Sequence, residues 1–216
     1  TSVTHERFND FHTANCITSA CSTVIYRGEL LGDEYYGDAF ISEPVHNMVH
    51  RQVVSETGVT FTSKRAEDEQ NSEFLTSADP WCRPVAVRTA PDGSLWVVDM
   101  YRHVIEHPEW IPHDWETQLD LRAGHERGRL YRVAPKGHAP LPAPDLTKLS
   151  LADLVARLGD SSGTVRDLTQ QLLTDRKPEG AEEMLAEACR ATDWRHRLHA
   201  LATLDGLGPV SRPVVA

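Results

Sequence analysis

The feature that most constrains this chain is a motif that occurs twice. Gly37-Asp38-Ala39-Phe40-Ile41-Ser42-Glu43 and Gly93-Ser94-Leu95-Trp96-Val97-Val98-Asp99 share one plan. Each runs glycine, a polar residue, three apolar residues, a small or apolar residue, then an acid. The copies lie 56 residues apart, and each is followed at the same spacing by an apolar pair, Met48-Val49 or Val104-Ile105. The plan predicts strand, acidic turn and strand, repeated once. Four-stranded units recurring every roughly 40–50 residues mark β-propeller blades, and a longer loop in one unit accounts for the wider spacing.

The surrounding sequence agrees with short strands. Residues 23–26, 39–42, 48–54, 85–88, 95–98 and 130–133 are β-prone, with a weaker run around Phe61. Pro91-Asp92-Gly93 is a turn signal, because Pro presets φ and Gly accepts positive φ. About 135 residues make two or three blades, whereas closure needs about four. Residues 1–134 are therefore expected to be the last two to three blades of a larger propeller.

Composition changes at residue 135. Four prolines between 135 and 144 make 135–147 a Pro-rich linker. Residues 148–216 follow the helical period. Ser150 and Asp153 resemble a capping box before Leu151, Leu154, Val155 and Leu158. Val165, Leu168, Leu172 and Leu173 form a second stripe, and Ala181, Met184, Leu185 and Ala188 a third. Asp193 is expected to cap a fourth helix with Trp194, Leu198, Leu201 and Ala202 on one face. Val165-Arg166 and Trp194-Arg195 recur 29 residues apart, as in an incomplete HEAT-like α-solenoid. The expected fold class is thus β + α multidomain: C-terminal blades of a β-propeller, then a HEAT-like α-solenoid. Residues 209–216 read as cut within the array.

Charge narrows the function classes. Lys and Arg number 22 against 32 Asp and Glu, for a net charge of −10. A basic footprint for nucleic acid is missing. No run approaches the ~18 apolar residues of a membrane span, and no signal peptide is visible. Four residues separate Cys16 from Cys21, while Cys82 and Cys189 stand alone. Buried free thiols are the simpler reading, with a Cys16–Cys21 disulfide as the alternative. CxxC, CxxCH, GxSxG and Walker patterns are missing. His46 and His50, like His103 and His107, are four apart, but in strand context that spacing is too long for one ion, and no metal site is assigned. His125, His138, His196 and His199 are expected at the surface. Trp81, Trp96, Trp110 and Trp115 are expected in core or interblade packing.

Glu43 and Asp99 occupy equivalent turns. They could face a common site or cap backbone N–H groups of their own turns. Arg27, Arg51, Arg83 and Arg102 sit near strand ends, where a guanidinium fork suits a carboxylate ligand or a rim salt bridge.

Residues 23–31, 36–41, 83–99 and 128–133 together resemble late blades of the soluble aldose (glucose/sorbosone) sugar dehydrogenases. Those are six-bladed propellers that use pyrroloquinoline quinone (PQQ). A closer resemblance is to large secreted bacterial proteins described as membrane-bound dehydrogenase domain or haem-binding-domain proteins. Residues 42–51, 99–112, 119–124 and 197–201 carry it. The resemblance implies a propeller joined to HEAT repeats and then a cytochrome c module.

By the resemblance, the intact protein would be a quinoprotein-type sugar or alcohol dehydrogenase using PQQ with calcium. Its substrate would be a carbohydrate or polyol. Haem c and the general-base His would lie outside this chain, so this chain alone is expected to be inactive. Arg83 matches a cofactor-contacting arginine and His46 stands near a cofactor-contacting lysine that is absent. Glu43, Asn47, Asp99, Tyr101 and Arg102 are rim candidates for substrate. The implied address is periplasmic or cell-surface. The alternative reading is a non-catalytic propeller–HEAT scaffold that binds glycans or protein partners.

Overall fold

The computed structural model describes residues 17–208. The Cys16–Cys21 pairing and the end of the chain at 209–216 lie outside the described residues. Two compact units divide the chain. One holds residues up to Tyr26, Glu34–Thr89 and Leu95–Ala134; the other holds Arg27–Asp33, Ala90–Ser94 and Pro135 onward.

The first unit contains β1 (Cys21–Ile25), β2 (Ala39–Glu43), β3 (Met48–Thr57), β4 (Thr60–Arg65), β5 (Leu75–Thr76), β6 (Pro84–Thr89), β7 (Leu95–Asp99), the short α1 (His113–Glu116) and β8 (Arg129–Val133). The first five strands make one antiparallel sheet in the order β1-β2-β3-β4, with β5 also on β3. The last three make another, β6-β7-β8. The strands expected from sequence form, while β5 and α1 were too short to carry a periodic signal.

The repeated motif folds as a repeated structure. In each copy the Gly-led segment is a central strand, β2 or β7. Each pairs with a preceding strand that carries a register irregularity near its start, between Cys21 and Val24 in β1 and between Pro84 and Ala86 in β6. One expectation fails. Val104-Ile105 does not form the return strand; β7 pairs instead with β8, Asp99 opposite Arg129. A loop of 29 residues, 100–128, thus takes the place of the four-residue turn 44–47.

The core of this unit is built from inward-facing strand residues. Tyr26, Phe40, Val49, Val87, Leu95 and Val97 are fully buried. Phe40 meets Phe74 edge-on at 4.7 Å. Strand β1 lies beside β6, where the Ser22 hydroxyl accepts a hydrogen bond from the Val87 N–H at 3.1 Å. Alternation along β7 turns Trp96 outward, 43% exposed. Trp110 and Trp115, also expected in the core, lie exposed in the 100–128 loop.

The second unit contains α2 (Leu151–Arg157), α3 (Gly163–Arg176), α4 (Ala181–Ala188) and α5 (Trp194–Leu207). Ser150 caps α2 by accepting from the Asp153 N–H, Ser162 caps α3 and Asp193 caps α5. Helix α2 packs on both α3 and α4, and α5 packs on both α3 and α4. Leu154, Val155, Leu158, Val165, Leu173, Leu185, Ala200 and Leu204 form its core. Leu146, near the end of the stretch expected to be linker, is anchored in that core.

One helical stripe faces the other way from expectation, and one residue departs from a second stripe that is otherwise buried. In α5 the buried side is Ala200, Thr203 and Leu204, while Trp194, Leu198 and Leu201 are exposed. Leu168 of α3 is exposed as well. His196 and His199 are half-buried rather than at the surface, contacting the Val155 carbonyl and the Gln170 side-chain oxygen.

Candidate functional site

The residues singled out by sequence meet at one end of the β unit, where β2 and β7 finish and the loops 44–47, 77–83 and 100–103 converge. Glu43 and Asp99 end their strands with buried carboxylates. A buried carboxylate needs full hydrogen bonding. Glu43 accepts from the Ser19 N–H, at 2.9 and 3.2 Å to its two oxygens, just ahead of β1. Asp99 Oδ1 accepts from the Arg83 N–H at 2.7 Å, just ahead of β6, and from the Tyr101 N–H at 2.8 Å. Each acid therefore ties the end of its central strand to the lead-in of the neighbouring strand. Asp99 caps its own turn at Tyr101 and also holds Arg83, whereas Glu43 holds the Ser19 N–H from outside its turn.

Arg83 is 9% exposed and its guanidinium is turned inward. Nε donates to the Arg102 carbonyl at 3.0 Å and Nη2 to the His103 carbonyl at 3.0 Å. Nη1 donates to the carbonyls of Pro44 at 3.0 Å and Val45 at 3.4 Å. One side chain thereby joins the 44–47 turn to the 100–103 segment. Burial pulls its pKa below the ordinary arginine value.

Asn47 does the same from the other side. It sits at φ +58° and donates from Nδ2 to the Pro80 carbonyl at 3.2 Å and to the Cys82 carbonyl. Asn tolerates this left-handed conformation better than most residues. His46 lies against Glu43, with Nδ1 3.2 Å from Oε1. Tyr101, at φ +50°, lies under the Arg129 guanidinium at 3.9 Å from the ring centroid. Arg102 turns back onto the carbonyls of Met100 and Tyr101. The Trp81 ring stacks on His103 at 5.1 Å. Sequence reasoning weighed His103 only as a metal candidate with His107 and missed Arg129, because both act here through contacts distant in the chain. Cys82 is a buried thiol pushed up to about 11 by burial, with the Asp99 charge adding to it.

The remaining arginines are placed elsewhere. Arg51 is buried in a network, with Nε 2.7 Å from Asp38 Oδ2 and Nη1 3.5 Å from Glu69 Oε1. Arg27 belongs to the helical unit and pairs with Asp167. His50 contacts Glu73 at 2.6 Å, so His46 and His50 serve different carboxylates. Among the described residues no three His, Cys, Asp or Glu side chains converge as metal ligands would.

Fold and site together define a protein of mixed β and α structure, with two antiparallel sheets cross-tied at one end and a separate four-helix unit. The chain belongs to the DUF7133 family, described as a domain of unknown function, whose model matches residues 1–137. Among the described residues the match takes in all eight strands and stops before helices α2 to α5. No curated protein and no solved structure matches the chain.

Proposed function

We propose that the β unit is a pair of adjacent propeller blades in a binding scaffold, continued by stacked helical hairpins of HEAT type. Its role is to hold protein partners rather than to oxidise sugars. The observation that carries this reading is Arg83. Its fork is bonded to four backbone carbonyls, so a cofactor carboxylate would have to displace them. By the resemblance to the quinone-dependent enzymes, a cofactor-contacting lysine would fall near Val45 and His46, and neither is lysine. The described residues therefore do not fit PQQ with calcium. The blade reading is supported by the two sheets sharing one plan, strand for strand through the third. The HEAT reading is supported by two successive helix pairs, α2 with α3 and α4 with α5, that also pack against each other through α2 on α4 and α3 on α5.

One observation favours the second reading, a quinone-dependent sugar or alcohol dehydrogenase passing electrons to a haem c module outside this chain. His46 is oriented by a buried carboxylate, as a group that moves protons would be. Calorimetric titration of PQQ with calcium into the full-length protein that carries this chain separates the readings. The scaffold predicts no saturable heat, and a lowered melting temperature for Arg83→Ala. Saturable binding that Arg83→Ala abolishes would overturn it in favour of the dehydrogenase.

A further inference from the structure

The loop between β7 and β8 is long, anchored and unlike its counterpart in the other sheet. Ile111 is 5% exposed and pins its middle. The His103 N–H donates to the Ala123 carbonyl at 3.2 Å and joins its two ends. On either side of Ile111 two indoles stand out: Trp110 is 66% exposed and Trp115 49%. An anchored loop that holds two tryptophans in water gives up burial that each would otherwise contribute. Tryptophan is also the residue most enriched at the energetic centre of protein interfaces.

The surroundings state what kind of partner fits. From His103 to Leu121 the chain carries Glu106, Glu109, Asp114, Glu116 and Asp120, and neither lysine nor arginine. All five carboxylates are exposed. Exposed carboxylates interspersed along the loop with two exposed indoles repel nucleic acid and acidic lipid surfaces and attract a basic protein face. We infer that the 103–121 loop is a docking surface for a protein partner whose contact patch is basic and has an apolar centre, with Trp110 and Trp115 as the anchors. This rests on the scaffold reading and names the partner's chemistry. The acids set the encounter rate and its salt dependence, and the indoles set the residence time.

The test uses a 14-residue amphipathic helix of Lys and Leu as probe, and the same peptide with Glu for Lys as control. Both are titrated against the whole chain by tryptophan fluorescence and calorimetry. The Lys peptide is expected to bind, to weaken about tenfold in Trp110→Ala/Trp115→Ala, and to weaken with added salt. Because both indoles are exposed, melting temperature and far-ultraviolet spectrum should match wild type in that variant. A second variant, Glu106→Gln/Glu109→Gln/Asp114→Asn/Glu116→Gln, should lose the salt dependence. Lys-peptide binding untouched by the tryptophan substitutions would overturn the proposal, since it would reflect the net charge of −10 alone. Equal binding of the Glu peptide would also overturn it. So would a fluorescence response to neutral oligosaccharides or phosphatidylcholine vesicles but not to the Lys peptide. None of these outcomes depends on quinone binding, so failure here and failure of the scaffold reading are told apart.

Discussion

Asp99→Ala should be among the most damaging single changes in the β unit. Asp99 is fully buried at its carboxylate, and its Oδ1 is the acceptor for two backbone N–H groups, those of Arg83 and Tyr101. Alanine leaves both donors without that acceptor. Each buried unsatisfied donor costs about 1–3 kcal/mol, so the pair costs about 4 kcal/mol. Arg129 adds little, because its side chain is 41% exposed and 3.6 Å from Oδ2. Asp99→Asn is the informative companion. The amide oxygen keeps both backbone bonds, and the lost charge and altered contact to Tyr131 cost about 1–2 kcal/mol. Urea unfolding followed by tryptophan fluorescence reads both. With a slope of about 2 kcal/mol per molar urea, alanine should move the midpoint down by about 2 M and asparagine by less than about 1 M. If both variants shift equally, or alanine costs under about 1 kcal/mol, the carboxylate is not the splice between strands that the geometry makes it.

Two further outcomes follow from named contacts. Gly124 sits at φ +91°, and a Cβ there would lie 2.5 Å from the Tyr101 carbonyl oxygen; Gly124→Ala should cost about 2–4 kcal/mol, measured as a fall in melting temperature. Burial, with the Arg166 charge behind it, lowers the pKa of His199 below its ordinary 6.5. The unfolded chain then takes up the proton first, so the stability His199 contributes is complete above about pH 6.5 and is lost as pH falls toward the folded value. Urea midpoints of the helical unit at pH 7.5 and 5.5 should differ less in His199→Gln than in wild type.

Much of the site was legible because it is local. The two acids could be found from the repeat, and Asn47 and Arg83 stand within a few residues of strand ends that turn chemistry marks. Whether each acid would face a ligand or backbone was not legible. That depended on Ser19 and Arg83 being delivered from 24 and 16 residues away. Arg83 shows the same limit. The resemblance suggested a ligand-contacting arginine at this place, and its carbonyl partners come from loops 19 to 39 residues distant.

Sequence alone marked the longer strands and helices α2–α5, since period, caps and turn residues act within a few positions, but not β5 or α1. It also carried the change of composition near residue 135 and the repeated motif. Tertiary structure decided which side of each element is buried. Helix α5 carries an apolar stripe at Trp194, Leu198 and Leu201, yet the core takes Ala200, Thr203 and Leu204, because packing against α3 and α4 selects small side chains there. Tertiary structure also decided that β7 returns through β8 rather than through Val104-Ile105. The nearer apolar pair offered a shorter loop, but loop closure grows costly only slowly with length, so the pairing that completes the sheet outweighs it.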